Sequence, residues 1–391
     1  MTVDEHEELR RTVRRFLETA SSSAEVRRAM ETERGYDRDV WQRLSGELGL
    51  TGLIVPERHG GAGAGAPELA IVMEEMGRAL LCAPFLSSAV LATAALLESG
   101  DEDACAELLP GIADGSIVAT LALAEGEGGI RDLASVRAKA RAEGGGYRLY
   151  GSKTWVPDGH SADLVLVAAR TDAGLSLFAV DGAAEGMDRR ELPALDPTRR
   201  LARLEFTGAP GRLIGADGGA APGLDRTLDL AAVALAAEQT GGAQRCLDLS
   251  VQYAGTRVQF GRPIGSFQAI KHKCAQMLLE VEAAKAVVEY AAEVWAPDAP
   301  QDERGLAAST ARAHCSETFV RASAEMVQIH GGIGFTWEHD AHLYLRRAKS
   351  SALLLGSTSW HLERVAAAIG LAPRAETTDP ADLVPKESAH A

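Results

Sequence analysis

The sequence predicts an all-α domain, then a small antiparallel β domain, then a four-helix bundle. Three observations carry this order. Apolar residues recur at helical spacing through residues 3–118. Short β-branched or alternating runs fill 117 to about 215. Four long helical stretches follow from about 222, joined by short links. The boundaries fall at 1–118, 119–218 and 219–370, leaving a tail at 371–391.

The first domain opens on VDEHEELRRTVRRFLE and continues through RDVWQRLSGELG, PELAIVMEEMGRALL, SSAVLATAALLESG and EDACAELLPGIADG. Between these helices lies LIVPERHGGAGAGAP (53–67), whose glycines and prolines make it a loop. It does not open a helix directly after a buried strand, so it reads as a structural crossing rather than a phosphate cradle. The β runs are IVATLALAE, SVRAKARAEGGGYRLYGSKTWV, ADLVLVAAR, LSLFAV and ARLEFTGA, and ARAEGGGYRL is the clearest hairpin. The bundle helices begin at LDRTLDLAAVALAAEQTGGAQRCLDLSVQYAGTR, FQAIKHKCAQMLLEVEAAKAVVEYAAEVW and ERGLAASTARAHCSETFVRASAEMVQIHG. HDAHLYLRRAKSSALLLGSTSWHLERVAAAIG supplies the last, and PDAP at 297–300 ends the second. The tail is polar with three prolines and reads as disordered.

At 391 residues the chain has room for several cores. Its 40 basic against 55 acidic side chains give a formal charge of -15, which offers no broad pull on nucleic acid or an anionic membrane. No stretch approaches the roughly 18 apolar residues of a membrane span. The charged start has no apolar core of signal-peptide type. Five scattered cysteines (Cys82, Cys105, Cys246, Cys274, Cys315) form no C-x-x-C pair, so neither a disulfide framework nor a zinc site is expected. His330, His339 and His342 cluster, but no third ligand joins the H-x-x-H pair and no metal is expected. A reducing, cytoplasmic setting follows.

Two stretches make the architecture specific: YAGTRVQFGRPIGSFQAIKHKCAQM (253–277) and QIHGGIGFTWEHDAHLYLRRAK (328–349). With GLIVPERHGGAGAG and GSKTWVPDG, they resemble the acyl-CoA dehydrogenase family in order, from roughly residue 3 to 370. The resemblance implies the acyl-CoA dehydrogenase fold, FAD, an acyl-CoA thioester substrate and α,β-dehydrogenation. In such enzymes a carboxylate removes the α-proton while the β-hydride goes to the flavin, and an electron-transfer flavoprotein is the acceptor. The base must lie within hydrogen-bond reach of that proton.

In this family each FAD lies between two subunits, and the two sets of contacts differ here. The set offered to a neighbour's FAD is intact. Arg257 matches the arginine that reaches the pyrophosphate. Phe260 and Gln268 match positions that pack on or bond the cofactor. Gln328, Gly331, Gly332 and Gly334 match the turn whose backbone approaches the adenosine end. The set for the chain's own flavin ring is damaged. In LALAEGEGGIRD (121–132), Ala124 stands at the usual Thr, and Ile130 and Arg131 replace a Ser-Asp pair. Trp155 matches the tryptophan behind the flavin, but Pro157 replaces the hydroxyl two residues on and has no N–H.

Aligning RRAKSSALLLGSTS on the family's Arg-Asp-Ala-Lys…Glu-Gly-Thr puts Leu355 at the catalytic Glu; Gly356 fits and Ser357 keeps a hydroxyl. Some branches carry the glutamate on an earlier helix facing the same pocket, and that position is Ala231. Glu238, seven residues on and on roughly the same face, is the remaining candidate; a buried acid there would have a raised pKa. Asp229 matches a position near the CoA side. The pattern resembles the subunit without catalytic Glu in a heteromeric acyl-CoA dehydrogenase, whose homologous partner brings the base; such heteromers handle bulky thioesters, including steroid side-chain CoA esters. Two other readings fit: a homo-oligomeric flavoenzyme with an unconventional base acting on an acyl-CoA or carrier-protein thioester, and a non-enzymatic relative.

Overall fold

The computed structural model describes residues 2–126, 133–295 and 299–371. Helix α1 (Val3–Ala20) starts on a capping box, in which Thr2 and Glu5 satisfy each other's backbone N–H groups. Helices α2 (Ser23–Glu31) and α3 (Arg38–Gly46) follow. Helix α4 (Ala66–Arg78) is tied to α1 by Arg14, whose Nε and Nη2 donate to the buried Glu75 carboxylate at 2.8 and 2.7 Å. A π-helical stretch, Phe85–Ala92, is buried along its whole length and leads through α5 (Thr93–Leu97) to α6 (Glu102–Ala113).

The middle strands are β1 (Ala119–Ala122), β2 (Lys139–Glu143), β3 (Gly146–Pro157), β4 (Leu164–Arg170), β5 (Leu175–Asp181), β6 (Met187–Glu191) and β7 (Leu201–Ile214). They close a ring, β4–β2–β3–β7–β5 and back to β4, with β6 on the outer side of β7. The β2–β3 hairpin turns through Gly144 and Gly145, both at positive φ (61° and 83°), as a two-residue turn between twisted strands requires. The sheet is not antiparallel throughout: β1 runs parallel to β4, and β2 meets β4 by a parallel bridge at Lys139–Arg170. Strand β1 enters from α6 rather than through a hairpin, so no tight turn sets its direction.

The bundle consists of α7 (Ala221–Thr256), α8 (Gln268–Glu293), α9 (Gln301–His330), α10 (Ala341–Ser351) and α11 (Thr358–Ala368). A hairpin of β8 (Val258–Gln259) and β9 (Arg262–Pro263) joins the first two. The single last helix expected from the sequence is therefore two. The chain breaks at Leu355 and Gly356, which stand at φ 59° and 101°, and Ser357 caps α11 by accepting the Trp360 N–H at 3.3 Å. The break is fixed from outside: Arg312 of α9 donates to the carbonyls of Ser351 and Leu354.

The first domain docks on the bundle through glycine. A Cβ on Gly241 of α7 would lie 1.8 Å from the Glu74 carbonyl oxygen, and one on Gly77 of α4 would lie 1.9 Å from that of Glu238. The helices cross with backbones touching, so neither position has room for a methyl group. Gly241→Ala is expected to lower stability by about 1–3 kcal/mol through overpacking. Urea unfolding followed by circular dichroism will show a lower midpoint at unchanged slope.

Candidate functional site

A cavity of about 990 Å³ opens between the β domain and the α10–α11 turn. Its floor follows from one bulge. The β3–β7 register shifts between Lys153 and Val156, and Trp155 sits there at φ 55°, on the cavity wall beside Thr154 and Pro157. The Thr154 N–H donates to the Ala124 carbonyl at 2.9 Å, which fixes the segment just after β1 as the next wall. Beneath it, Lys153 is fully buried and donates to Glu125 at 2.6 Å and to the Leu123 carbonyl at 3.1 Å. Burial pushes the Lys153 ammonium down to about 8 against the pull of Glu125. Glu125 also accepts the Arg137 and Ala138 N–H groups at 2.8 and 3.0 Å. Sequence reading gave this pair no role; the signal was a lysine in an otherwise apolar strand segment, TWV, preceded by an acid on the neighbouring run.

The opposite wall is the turn 353–357. Leu355 is buried and faces the cavity from the position expected of a glutamate. His361 bonds its carbonyl through Nε2 at 3.0 Å; burial, with the Arg312 charge, pushes that imidazole down to about 3, so it is neutral and donates. Arg312 is itself fully buried, and desolvation lowers it to about 10. Ser357 lines the cavity while capping α11. The lining acid is Glu363, exposed on α11, and the lining cation is Lys349, exposed on α10.

Ala231 is fully buried in the core and is not on the cavity wall. Glu238 is not on it either. It is buried between Arg199 and Arg347, whose guanidinium groups reach its two oxygens at 2.5 and 3.1 Å. The raised pKa expected from its apolar neighbours is corrected: burial alone would raise it, but the two arginine charges and their hydrogen bonds carry the carboxyl below its ordinary value. Arg347 also holds Asp196 at 2.9 Å, so the acid belongs to an ion network joining the β domain to the bundle, and Arg347 reaches the first domain by donating to the Leu81 carbonyl at 3.4 Å. Asp229 is buried and held by Arg364 at 2.7 Å and Gln301 at 3.2 Å.

The other predicted residues meet elsewhere, at one end of the bundle. Tyr253 near the end of α7 stacks on His330 at the end of α9, with ring centroids 4.4 Å apart. That contact brings together Arg257, which ends α7, Gln268, which starts α8, and Gln328, Gly331, Gly332 and Gly334 at the end of α9. Phe260 tips the β8–β9 hairpin at φ 53° and is 91% exposed; Phe335 is 82% exposed. Arg257 is exposed and makes no ion pair among the described residues. A Cβ at Gly331 or Gly332 would meet nothing within 4 Å, so the backbone there is open to close approach. Gly334 is packed instead: a Cβ would lie 2.9 Å from that of His330.

These two places test the fit to FAD. The bundle end presents a guanidinium without an ion pair among the described residues, bare glycine backbone and exposed rings, which are groups that could meet a phosphate and a purine. In the chain's own cavity Ala124, Pro157 and Leu355 offer no side-chain donor to a flavin's polar edge, and the hydroxyls on the wall are those of Thr154, Ser350, Ser357 and Ser359. Ile130 and Arg131 lie outside the described residues. Among the described residues no three His, Cys, Asp or Glu side chains form a metal site, and no helix is long and apolar enough to cross a membrane.

The domain models for the N-terminal, middle and C-terminal domains of acyl-CoA dehydrogenase match residues 3–116, 120–208 and 223–370. Acyl-CoA dehydrogenase IpdE2 of Mycobacterium tuberculosis is 38% identical over 95% of this chain and 99% of its own. The chain belongs to the acyl-CoA dehydrogenase family. It is thus a flavoprotein oxidoreductase at the level of the family, and the family is FAD-dependent. Among solved structures, this acyl-CoA dehydrogenase chain superposes on a variant of the Tcur3481-Tcur3483 steroid ACAD with a TM-score of 0.84 and 33% identity, over 94% of this chain and 98% of that one. It superposes on the ChsE4-ChsE5 complex from Mycobacterium tuberculosis with a TM-score of 0.85 and 28% identity, over 95% and 99%. Both structures carry two unlike names.

Proposed function

We propose that this chain is the subunit without catalytic glutamate in a heteromeric acyl-CoA dehydrogenase acting on a bulky acyl-CoA thioester in the cytoplasm. Its bundle end completes an FAD whose ring lies in a homologous partner, and the partner supplies the base. The observation that carries this is Leu355: the residue facing the cavity from the base's position has no proton to exchange. In the assembly, Arg257 pairs with the pyrophosphate, and Gly331 and Gly332 let backbone N–H groups approach the adenosine end. Gln268 and Gln328 donate to the cofactor, and Phe260 excludes water from it. Bound FAD supplies a hydride acceptor for the β-carbon, and an electron-transfer flavoprotein removes the electrons. The steroid relative and the two-name complexes support a large thioester and a paired assembly.

Flavin stoichiometry by absorbance tests this. The chain purified alone is expected to be colourless, and a complex with the right partner is expected to hold about one FAD per pair of unlike chains. One FAD per chain in the isolated protein overturns the reading and returns the homo-oligomer.

A further inference from the structure

We infer that the turn from Gly331 to Asp340, between α9 and α10, is an acid-sensitive catch: neutral His339 holds it closed, and a proton on His339 opens it and withdraws the bundle end from a partner's cofactor. The effect on a cofactor rests on the proposed assembly; the catch itself does not. The holding contact is a cap. The Ala341 N–H, the first of α10, donates to Nδ1 of His339 at 3.0 Å, so that nitrogen carries a lone pair. The pattern is that of an Asx turn, in which a side chain accepts the N–H two residues on. An imidazolium has a proton on both nitrogens and cannot accept. Protonation therefore sets two N–H groups against each other, and it does so at the positive end of an 11-residue helix.

The surroundings make that proton costly. The His339 ring lies 4.4 Å from that of His330, centroid to centroid, and His330 stacks in turn on Tyr253 of α7. His330 is buried and donates through Nδ1 to the Met326 carbonyl at 2.8 Å. His342, the second residue of α10, is buried against Trp337, and among the described residues neither of its ring nitrogens has a hydrogen-bond partner. Arg27 of α2 opposes a proton on His339 and on His342, Arg346 of α10 opposes one on His342, and Asp340 favours both. Asp340 already accepts from Arg27 at 2.6 Å and from Ser23 at 2.8 Å, and Glu338, the other acid of the turn, is exposed. Burial, with Arg27, pushes the His339 imidazole down against the pull of Asp340. The unfolded chain thus takes up a proton first, so the hold is present at neutral pH and lost as pH falls below the ordinary histidine range, about 6.5. The same turn carries Gly331, Gly332 and the exposed Phe335, so its position sets the bundle end.

Hydrogen exchange of residues 331–345, read by mass spectrometry on the purified chain, tests the catch. His339→Asn keeps an acceptor for the Ala341 N–H and cannot titrate; His339→Ala has neither property. Compared at one pH, parent and variant share their intrinsic exchange chemistry, so the ratio of rates reports structure. Parent and His339→Asn are expected to match at about pH 7.5, and the parent to exchange at least about tenfold faster than His339→Asn at about pH 5.5. His339→Ala is expected to exchange fast at both. In the heteromer, flavin absorbance after gel filtration is expected to fall by at least about half at about pH 5.5 with the parent chain and to hold with His339→Asn. Equal exchange by parent and His339→Asn in acid, or by parent and His339→Ala at neutral pH, overturns the catch. Should His339→Ala fold poorly, the comparison with asparagine still decides. Flavin kept equally in acid by parent and His339→Asn, with the turn open, overturns the link to the cofactor. A heteromer without FAD at neutral pH overturns the proposed assembly instead, and the exchange rates of the chain alone still decide the catch.

Discussion

Replacing Arg257 with alanine is expected to strip FAD from the assembled heteromer while leaving this chain folded. Arg257 helps end α7 through its backbone, whose N–H donates to the Tyr253 carbonyl at 2.8 Å, and alanine keeps that bond. Its exposed side chain has no ion pair to lose among the described residues, so the change in folding stability stays within about 0.5 kcal/mol. A guanidinium paired with a pyrophosphate is a charge-assisted contact of about 1.5–3 kcal/mol. Its removal weakens FAD by roughly ten- to a hundredfold. Gel filtration of the complex followed by flavin absorbance reads this directly. The companion variant is Trp155→Ala, on the chain's own cavity. It is expected to leave the flavin content unchanged, because the proposed assembly puts the flavin ring in the partner. If Trp155→Ala bleaches the complex and Arg257→Ala does not, the cofactor sits in this chain and the assignment of the two sites is reversed.

What could be seen in the sequence was what depends on neighbours within a few turns. Helical spacing, the glycine pair at Gly144–Gly145 and the ordered motifs of the bundle end needed no long-range information. The bundle end was legible because family motifs sit at the ends of α7 and α9, and helix lengths bring those ends together. The cavity was legible only as a list of missing donors. What failed depended on residues far along the chain. Glu238 was placed correctly as buried, but the sign of its pKa shift turns on Arg199 and Arg347, separated from it by 39 and 109 residues. Counting apolar neighbours on one helix cannot detect cations arriving from another helix or another domain. The run SALLL reads as helix, yet Arg312 takes its last carbonyls and the chain turns; Gly356 was the local signal for that break.

The same network yields a second large effect. Glu238→Gln is expected to cost about 3–5 kcal/mol at pH 7, because it removes one partner of a buried pair, leaving Arg199 without its compensating charge and Arg347 with Asp196 alone. The pH dependence gives the sign. Two arginines hold the Glu238 carboxyl below its value in the unfolded chain, about 4.3. The unfolded state therefore takes up a proton first as pH falls, and the stabilisation is present above that pH and lost as pH drops through the folded pKa. Parent and variant should differ widely at pH 7 and converge as pH falls below the ordinary carboxylate range, read as denaturation midpoints across pH. A gap that widens in acid would mean that the carboxyl is raised, as a catalytic base in an apolar pocket would be. The folded fraction of Glu238→Gln in the heteromer should keep its flavin and its turnover, since the carboxylate is neutralised by arginines and is absent from the cavity wall. Normal folding with abolished turnover would instead make Glu238 the base, and Leu355 would no longer imply a partner's glutamate.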